Sequence, residues 1–357
     1  YEHKITEDFI SSTAFSVSKT GEKISNQLDY ADWNYFQPGE VTYLSRTDWA
    51  GTYPKSYTGM TLVNEELINL LNGNYYTIQT DDDTSGITWG KDSNLMFYEM
   101  YGTDFDDAKW QDLLDKMTLE EAQYLATFGG PSIPGVSSIG TVETYMTENA
   151  GNGVAVNLNA SKDTGAPWSI SASDPNGNWH PEVFANAPLV AASFNQDLYK
   201  EVGSFIGEEA LFTGIPILWG PGLNTHRHAY NGRNGEYYSE DPVLSGSAAM
   251  EFAIGALDYG LIAAPKHFAF NDQENHRGDR DGQFSVATWF NEQSAREIYL
   301  VPFEMCMKVG DVTLNYVEKQ EDGSYANASK SIRASQGVMT SFNRAGATWA
   351  GGDYGLI

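Results

Sequence analysis

The sequence predicts an α/β fold: an incomplete (β/α)8 TIM-type barrel preceded by an irregular, partly extended arm. Three observations carry this. From Leu189 onward, short apolar runs alternate with amphipathic stretches of helical length, the pattern of parallel βαβ units. Polar and charged residues stand directly after successive apolar runs, so they converge at the carboxyl ends of one parallel sheet. No glycine-rich dinucleotide or phosphate loop follows any of these runs, which favours a barrel over an open doubly wound sheet.

The elements follow in order. Residues 1–103 are polar, aromatic-rich and weakly periodic, an irregular arm or connector, the remnant of a preceding domain. Only Leu62 to Leu71 predicts a helix there, and Asp81 to Gly86 predicts a solvated turn. The barrel domain is expected over residues 104–357, incomplete at its C-terminal side. Asp107 to Met117 has helical spacing, with Trp110, Leu113 and Leu114 on one face. Thr118-Leu119-Glu120-Glu121 is the start of a second helix with a capping box. Residues 128–182 are rich in Gly, Ser, Asn and Pro and predict mostly loop.

Pro188 to Ala192 reads as a short buried strand, and Gln196 to Phe212 as a helix. Ile215 to Trp219 is strand, and Asp241-Pro242 opens a helix through Ala256 with proline at its first position. Leu261 to Pro265 is strand, Asn291 to Lys308 helix and Gly337 to Ser341 strand. The polar insertion Asn315 to Ile332 predicts a surface loop.

Charge narrows the function classes. The chain has 357 residues, with 21 Lys and Arg against 48 Asp and Glu, a net charge of −27. Such acidity opposes binding to nucleic acid and to anionic membrane surfaces. It suits a neutral or cationic ligand. No apolar run approaches the roughly 20 residues of a helical membrane span. Cys306 is the only cysteine, so intrachain disulfides and multi-cysteine metal sites are excluded. One thiol fits a cytoplasmic or a secreted protein alike. No signal segment opens the chain, and Tyr1 in place of Met implies a processed or partial sequence. The oligomeric state is not legible.

Three stretches are specific. One runs Gly220-Pro221-Gly222-Leu223-Asn224-Thr225-His226-Arg227-His228 and on through Asn231-Gly232-Arg233-Asn234-Gly235-Glu236-Tyr237-Tyr238-Ser239-Glu240-Asp241-Pro242. The next is Lys266-His267-Phe268-Ala269-Phe270-Asn271-Asp272-Gln273-Glu274-Asn275-His276-Arg277. The last is Arg296-Glu297-Ile298-Tyr299-Leu300-Val301-Pro302-Phe303-Glu304. Together they resemble the first domain of glycoside hydrolase family 3, the β-glucosidase and β-xylosidase family, from about Asp104 to Ile357. Tyr43-Leu44-Ser45-Arg46-Thr47-Asp48-Trp49-Ala50-Gly51-Thr52-Tyr53-Pro54 resembles the connector of members in which a sandwich domain and a fibronectin-like module precede the barrel.

The resemblance implies an exo-acting, retaining hydrolase of terminal β-D-glycosidic bonds, acting on a small-molecule glycoside or oligosaccharide without a cofactor. It implies that the nucleophilic Asp and the acid/base Glu lie outside this chain, so no catalytic residue is assigned within it. The substrate-binding positions it implies are Arg233, Lys266, His267, Asn149, Glu148 and Phe342. Arg233, Lys266 and His267 match positions that grip sugar hydroxyls in the subsite holding the cleaved sugar, and a cis peptide is expected between Lys266 and His267. Asn149, with Glu148 beside it, falls where the family carries an Asp, and Phe342 where it carries a Tyr. Both departures imply altered specificity or weaker activity.

Other residues have structural readings. Glu240 and Asp241 fit the cap and first turn of the helix that Pro242 begins. Arg233 also has the option of a loop-bracing ion pair with Glu236 or Asp241. Asn271, Glu274 and Arg277 fit stabilisation of the loop after Lys266-His267, and His226 and His228 fit loop shaping. Two rival functions remain open. One is a sugar-binding fragment without catalysis, its surface drawn from nine Trp and 21 Tyr. The other is a metal-dependent barrel hydrolase ligating through His226 and His228. A barrel lacking its last strands would expose a parallel edge, and the isolated chain is expected to be marginally stable.

Overall fold

The structure, a computed structural model, describes residues 27–38, 41, 63–72, 86–128, 132–149, 154–155, 184–274, 277 and 286–357. Contacts divide the chain into two units. One comprises residues 1–73, 276–297 and 342–357, the other residues 74–275 and 298–341. The predicted turn at Asp81 to Gly86 lies outside the described residues except for its last glycine.

The larger unit carries the sheet. Its elements are α1 (Lys109–Leu114), α2 (Leu119–Thr127), β1 (Ser132–Ile133), β2 (Thr144–Asn149), β3 (Val154–Ala155), α3 (Ala187–Ala191), α4 (Gln196–Thr213) and β4 (Ile217–Gly222). Then come α5 (Pro242–Leu257), β5 (Ile262–Phe268), α6 (Val301–Met307), β6 (Asp311–Lys319), β7 (Tyr325–Arg333) and β8 (Met339–Thr340). Strands β2, β4, β5 and β8 pair side by side, all parallel, in chain order. Each new strand joins the same side of the last, the winding of a barrel and not of a doubly wound sheet. The sheet is thus an incomplete barrel. β1 and β3 add short antiparallel partners to β2.

Sequence explains most element ends. Thr118 accepts a hydrogen bond from Glu121 N–H, and the Glu121 carboxylate returns one from Thr118 N–H, the reciprocal capping box. Asp241 accepts from the N–H groups of Val243 and Leu244 at the start of α5, beside Pro242. Gly214 ends α4 in a left-handed conformation at φ 72°. Helices α4 and α5 approach through glycines: a Cβ on Gly203 would overlap the Phe252 carbonyl oxygen, and one on Gly255 would overlap that of Lys200. Both contribute to the main core, which includes Ile206, Leu218, Phe252, Leu261 and Phe303. Leu113, Met117, Val136 and Ile139 form a second cluster around α1 and α2.

Five expectations are corrected. Pro188 to Ala192 is not strand; it lies in α3 and the turn after it, because the Asn186 side chain accepts from Leu189 N–H and caps a helical turn there. Residues 128–182 are not mostly loop where they are described, since they contain β2, the first parallel strand of the sheet. Asn315 to Ile332 is not a loop but most of an antiparallel hairpin, β6 paired with β7 over nine residues each. Asn291 to Lys308 is not one helix: a π-helical turn at Ala295–Tyr299 interrupts it, and α6 begins afresh with Pro302 in its first turn. On α1, Leu113 is buried but Leu114 is exposed, so the expected apolar face is narrower.

The smaller unit is built from short pieces. Helices span Trp33–Phe36 and Glu65–Asn72, the second close to the expected helix. Strand Ala287–Thr288 pairs parallel with Arg344–Ala345, which pairs antiparallel with Thr348–Trp349. Trp33 meets Trp289 edge to face at 5.0 Å between ring centroids, and Tyr30 donates to Asp353.

Candidate functional site

Three parallel strands deliver the site. β5 ends in Lys266 and His267, β2 ends near Glu148, and the loop after β4 carries Asn224 and Thr225 and continues to Arg233, Glu236 and Tyr237. The Lys266–His267 peptide is cis, as are Gly220–Pro221 and Phe268–Ala269. Asn224 holds the His267 backbone at both ends: its Oδ1 accepts from His267 N–H at 2.9 Å, and its Nδ2 donates to the His267 carbonyl at 3.1 Å.

Lys266 is 1% exposed, so its ammonium needs anionic partners. It has two. Nζ lies 2.5 Å from Glu148 Oε2 and 2.8 Å from Glu236 Oε1. Glu236 reaches the second cation with its other oxygen: Arg233 Nη2 and Nε lie 2.5 and 2.7 Å from Oε2. Glu274 adds a longer contact, 3.5 Å from Oε1 to Arg233 Nη1. The expected loop-bracing pair of Arg233 therefore exists, and the same carboxylate also holds Lys266.

His267 joins this network through both ring nitrogens. Arg233 Nη2 lies 3.1 Å from Nε2, and Tyr237 Oη lies 3.1 Å from Nδ1. A guanidinium only donates, so Nε2 must accept and the proton of a neutral ring sits on Nδ1, donated to Tyr237. Asn271 Nδ2 donates to the same hydroxyl at 2.9 Å and to Glu274 Oε1 at 3.0 Å. Burial pushes the Tyr237 phenol far above its ordinary value, so it remains a neutral hydroxyl.

Just beyond, Asp272 is fully enclosed. It accepts from the Thr225 N–H at 2.5 Å and hydroxyl at 2.8 Å. Burial pushes its carboxyl up to about 6, against the opposing pull of those hydrogen bonds.

The structure thus gathers Lys266, His267, Arg233 and Glu148. It decides between the two β2 candidates only in part. The Glu148 carboxylate is in the network, while the Asn149 backbone lies in β2 with its side chain outside the described residues. Phe342 falls in the smaller unit, where the Arg277 guanidinium lies 5.2 Å from its ring centroid. Asp241 is the helix cap, as its place before Pro242 suggested, and Glu240 is exposed. His226 Nε2 is 2.8 Å from the Tyr237 carbonyl, and His228 Nδ1 accepts from Tyr230 N–H, so both shape the loop. His276 is outside the described residues, and among the described residues no group of three potential ligands could hold a metal ion. Sequence reasoning missed the joint hold of Glu236 on two cations and the parts of Tyr237 and Asn224. All three lie within the first specific stretch, so their signal was present but their partners were not.

With Lys266 and Arg233 as cations, Glu148, Glu236 and Glu274 as anions and a neutral imidazole, the cluster carries a net charge near −1. It is a dense set of fixed donors and acceptors at the carboxyl ends of barrel strands, the end at which a barrel domain carries its site. Residues 175–332 match the glycosyl hydrolase family 3 N terminal domain. A β-glucosidase of Bacteroides ovatus, BoGH3A, is 34% identical over 205 residues, which are 57% of this chain and 25% of that protein. A β-glucosidase of Ruminococcus albus is 33% identical over 218 residues, 60% of this chain and 20% of that one. In fold, the crystal structure of a β-glucosidase from Paenibacillus barengoltzii matches with a TM-score of 0.50 and 22% identity, covering 75% of this chain and 25% of that chain. Over these residues the chain is similar to glycoside hydrolase family 3 proteins. It spans a fifth to a quarter of the length of these two curated relatives.

Proposed function

We propose that the chain is part of an exo-acting, retaining β-glucosidase-like enzyme that hydrolyses terminal β-D-glycosidic bonds, and that it supplies the hydroxyl-binding half of the active site. In this reading the barrel domain runs over residues 104–357, and residues 1–103 are its connector. The carrying observation is the network of Lys266, Arg233, His267, Glu148 and Glu236 at the ends of three parallel strands. A pyranose presents neighbouring hydroxyls, each a donor and an acceptor. Charged groups at fixed spacing hold such hydroxyls with hydrogen bonds about twice as strong as neutral ones.

Lys266 spends two of its three ammonium protons on Glu148 and Glu236, leaving the third for a ligand hydroxyl. Glu148, half exposed where Lys266 is buried, offers a carboxylate acceptor on the open side. The slightly negative balance suits a neutral sugar and disfavours phosphorylated or uronic sugars. A retaining glycosidase needs two further carboxylates about 5–5.5 Å apart, a nucleophile and an acid/base. This reading leaves both to segments of the whole protein outside these residues, and it requires no cofactor.

The test uses the whole protein. It should release β-glucose first from 4-nitrophenyl β-D-glucoside, seen by NMR before mutarotation, and ignore the 6-phosphate. Lys266→Met should lower kcat/KM by about 100-fold, with thermal unfolding recorded alongside to separate lost binding from lost fold. Binding of glucose without turnover would replace this reading by a sugar-binding one. Neither binding nor turnover would end it.

A further inference from the structure

Glu236 occupies an unusual place in the network. Its two oxygens face different cations: Oε1 takes Lys266 Nζ at 2.8 Å, and Oε2 takes Arg233 Nη2 and Nε at 2.5 and 2.7 Å. Those cations come from different barrel segments, Lys266 from the end of β5 and Arg233 from the loop after β4. Lys266 is held again by Glu148 on β2, and Arg233 by Glu274. Glu236 joins the two. The adjacent Tyr237 faces the third group, His267 Nδ1, and its ring is buried.

We infer that Glu236 is a positioning residue that sets the distance and angle between Lys266 and Arg233, and so the pitch at which the site grips neighbouring sugar hydroxyls. The inference rests on the proposed function above, and it deepens it by naming the group on which hydroxyl recognition depends. The carboxylate consumes the inward-facing protons of both cations. With Glu148, Glu274 and His267 taking others, one Lys266 proton and one Arg233 Nη1 proton remain for a ligand, and Glu236 touches no substrate atom itself. A flexible lysine and a long arginine would otherwise each sample several rotamers, and a displacement of about 1 Å of such positioning groups costs about 100-fold in rate.

Three variants of the whole protein test this. Glu236→Gln keeps the volume but turns an N–H2 toward one of the cations. Glu236→Asp keeps the charge but shortens the reach, so it holds one cation at a time. Lys266→Met removes one client. With 4-nitrophenyl β-D-glucoside, Glu236→Gln should lose about 100-fold in kcat/KM, most of it in kcat, and Glu236→Asp should recover about tenfold of that. The double variant Glu236→Gln/Lys266→Met should lose less than the two single losses combined, because Glu236 acts in part through Lys266 and in part through Arg233. A role in stability alone would give additive losses and a lowered unfolding temperature in proportion.

A geometric readout stands apart from activity. The Arg233 Nε–H resonance should be protected from exchange in the wild type and exposed in Glu236→Gln. Wild-type kcat/KM in Glu236→Gln, or additive losses in the double variant, overturns the inference while leaving the glucosidase reading intact. An inactive wild type that still protects Arg233 Nε–H overturns the glucosidase reading and leaves the clamp. Unchanged Arg233 exchange in Glu236→Gln overturns the clamp.

Discussion

β5 and the hairpin β6–β7 are both strands of one chain, and they are held in opposite ways. β5 has seven residues, with Ala263 to His267 buried, and it pairs with β4 on one side and β8 on the other. The hairpin strands have nine residues each, mostly exposed, and among the described residues they pair with one another alone, through a short turn. A strand buried on both sides cannot leave a polar group unmatched, so the polar residues at its end must find partners from other strands. That requirement builds the site: Lys266 is held because water cannot hold it. The hairpin faces no such demand, since solvent satisfies its Lys, Glu and Ser side chains wherever they point. Function therefore gathers where burial forces pairing across distant segments.

Three expected outcomes would break or sharpen this contrast. The largest concerns the helices that cover the buried strands. Gly255→Ala places a methyl group against the Lys200 carbonyl, so α4 and α5 must separate, and chemical denaturation should show a loss of about 3 kcal/mol. A near-neutral Gly255→Ala would mean that the helices yield easily and that close packing does not hold the strand ends in register.

The next concerns Asp272, buried beside the site with its carboxyl raised to about 6. Its folded value lies above that of the unfolded chain, about 3.9, so the folded state binds the proton more tightly in that window. This part of the stability should therefore rise as pH falls from about 7 through about 6 and level off near 4. Asp272→Asn keeps an acceptor for Thr225 and should flatten that dependence. Unfolding midpoints at pH 7, 6, 5 and 4 read it directly, and an unchanged profile in the variant would show that Asp272 is not the titrating group.

The smallest effect belongs to the hairpin. Val317 is 61% exposed, and Val317→Thr should change stability by less than about 0.5 kcal/mol by the same measurement. A larger loss would show that the hairpin face is covered in solution, and the contrast with β5 would fail there.

The difference also explains what was legible. Helix ends written in local chemistry were readable: Thr118 with Glu121, and Asp241 before Pro242, each complete within four residues. β4 and β5 were readable as apolar runs between helices. The hairpin was not, because exposed polar strands carry no apolar periodicity and owe their form to pairing with each other. α3 was misread because Pro188-Leu189-Val190-Ala191 is apolar without being long, and the cap at Asn186 decided the outcome. β2 was hidden in a stretch rich in turn-forming residues, although parallel pairing with β4 makes Thr144–Asn149 the first strand of the sheet.

By itself the sequence determined the α/β class and the order of the main strands and helices, and its resemblance to a known family pointed to Arg233, Lys266, His267 and Glu148 as candidates, because local periodicity and contiguous motifs are properties of neighbours along the chain. Only the tertiary structure decided that one carboxylate, Glu236, holds Lys266 and Arg233 together, that Arg233 and Tyr237 choose the tautomer of His267, and that Asn224 bonds both backbone polar groups of His267. These are contacts between residues up to 43 positions apart. No local rule specifies them, since they exist only after burial has removed water as the alternative partner.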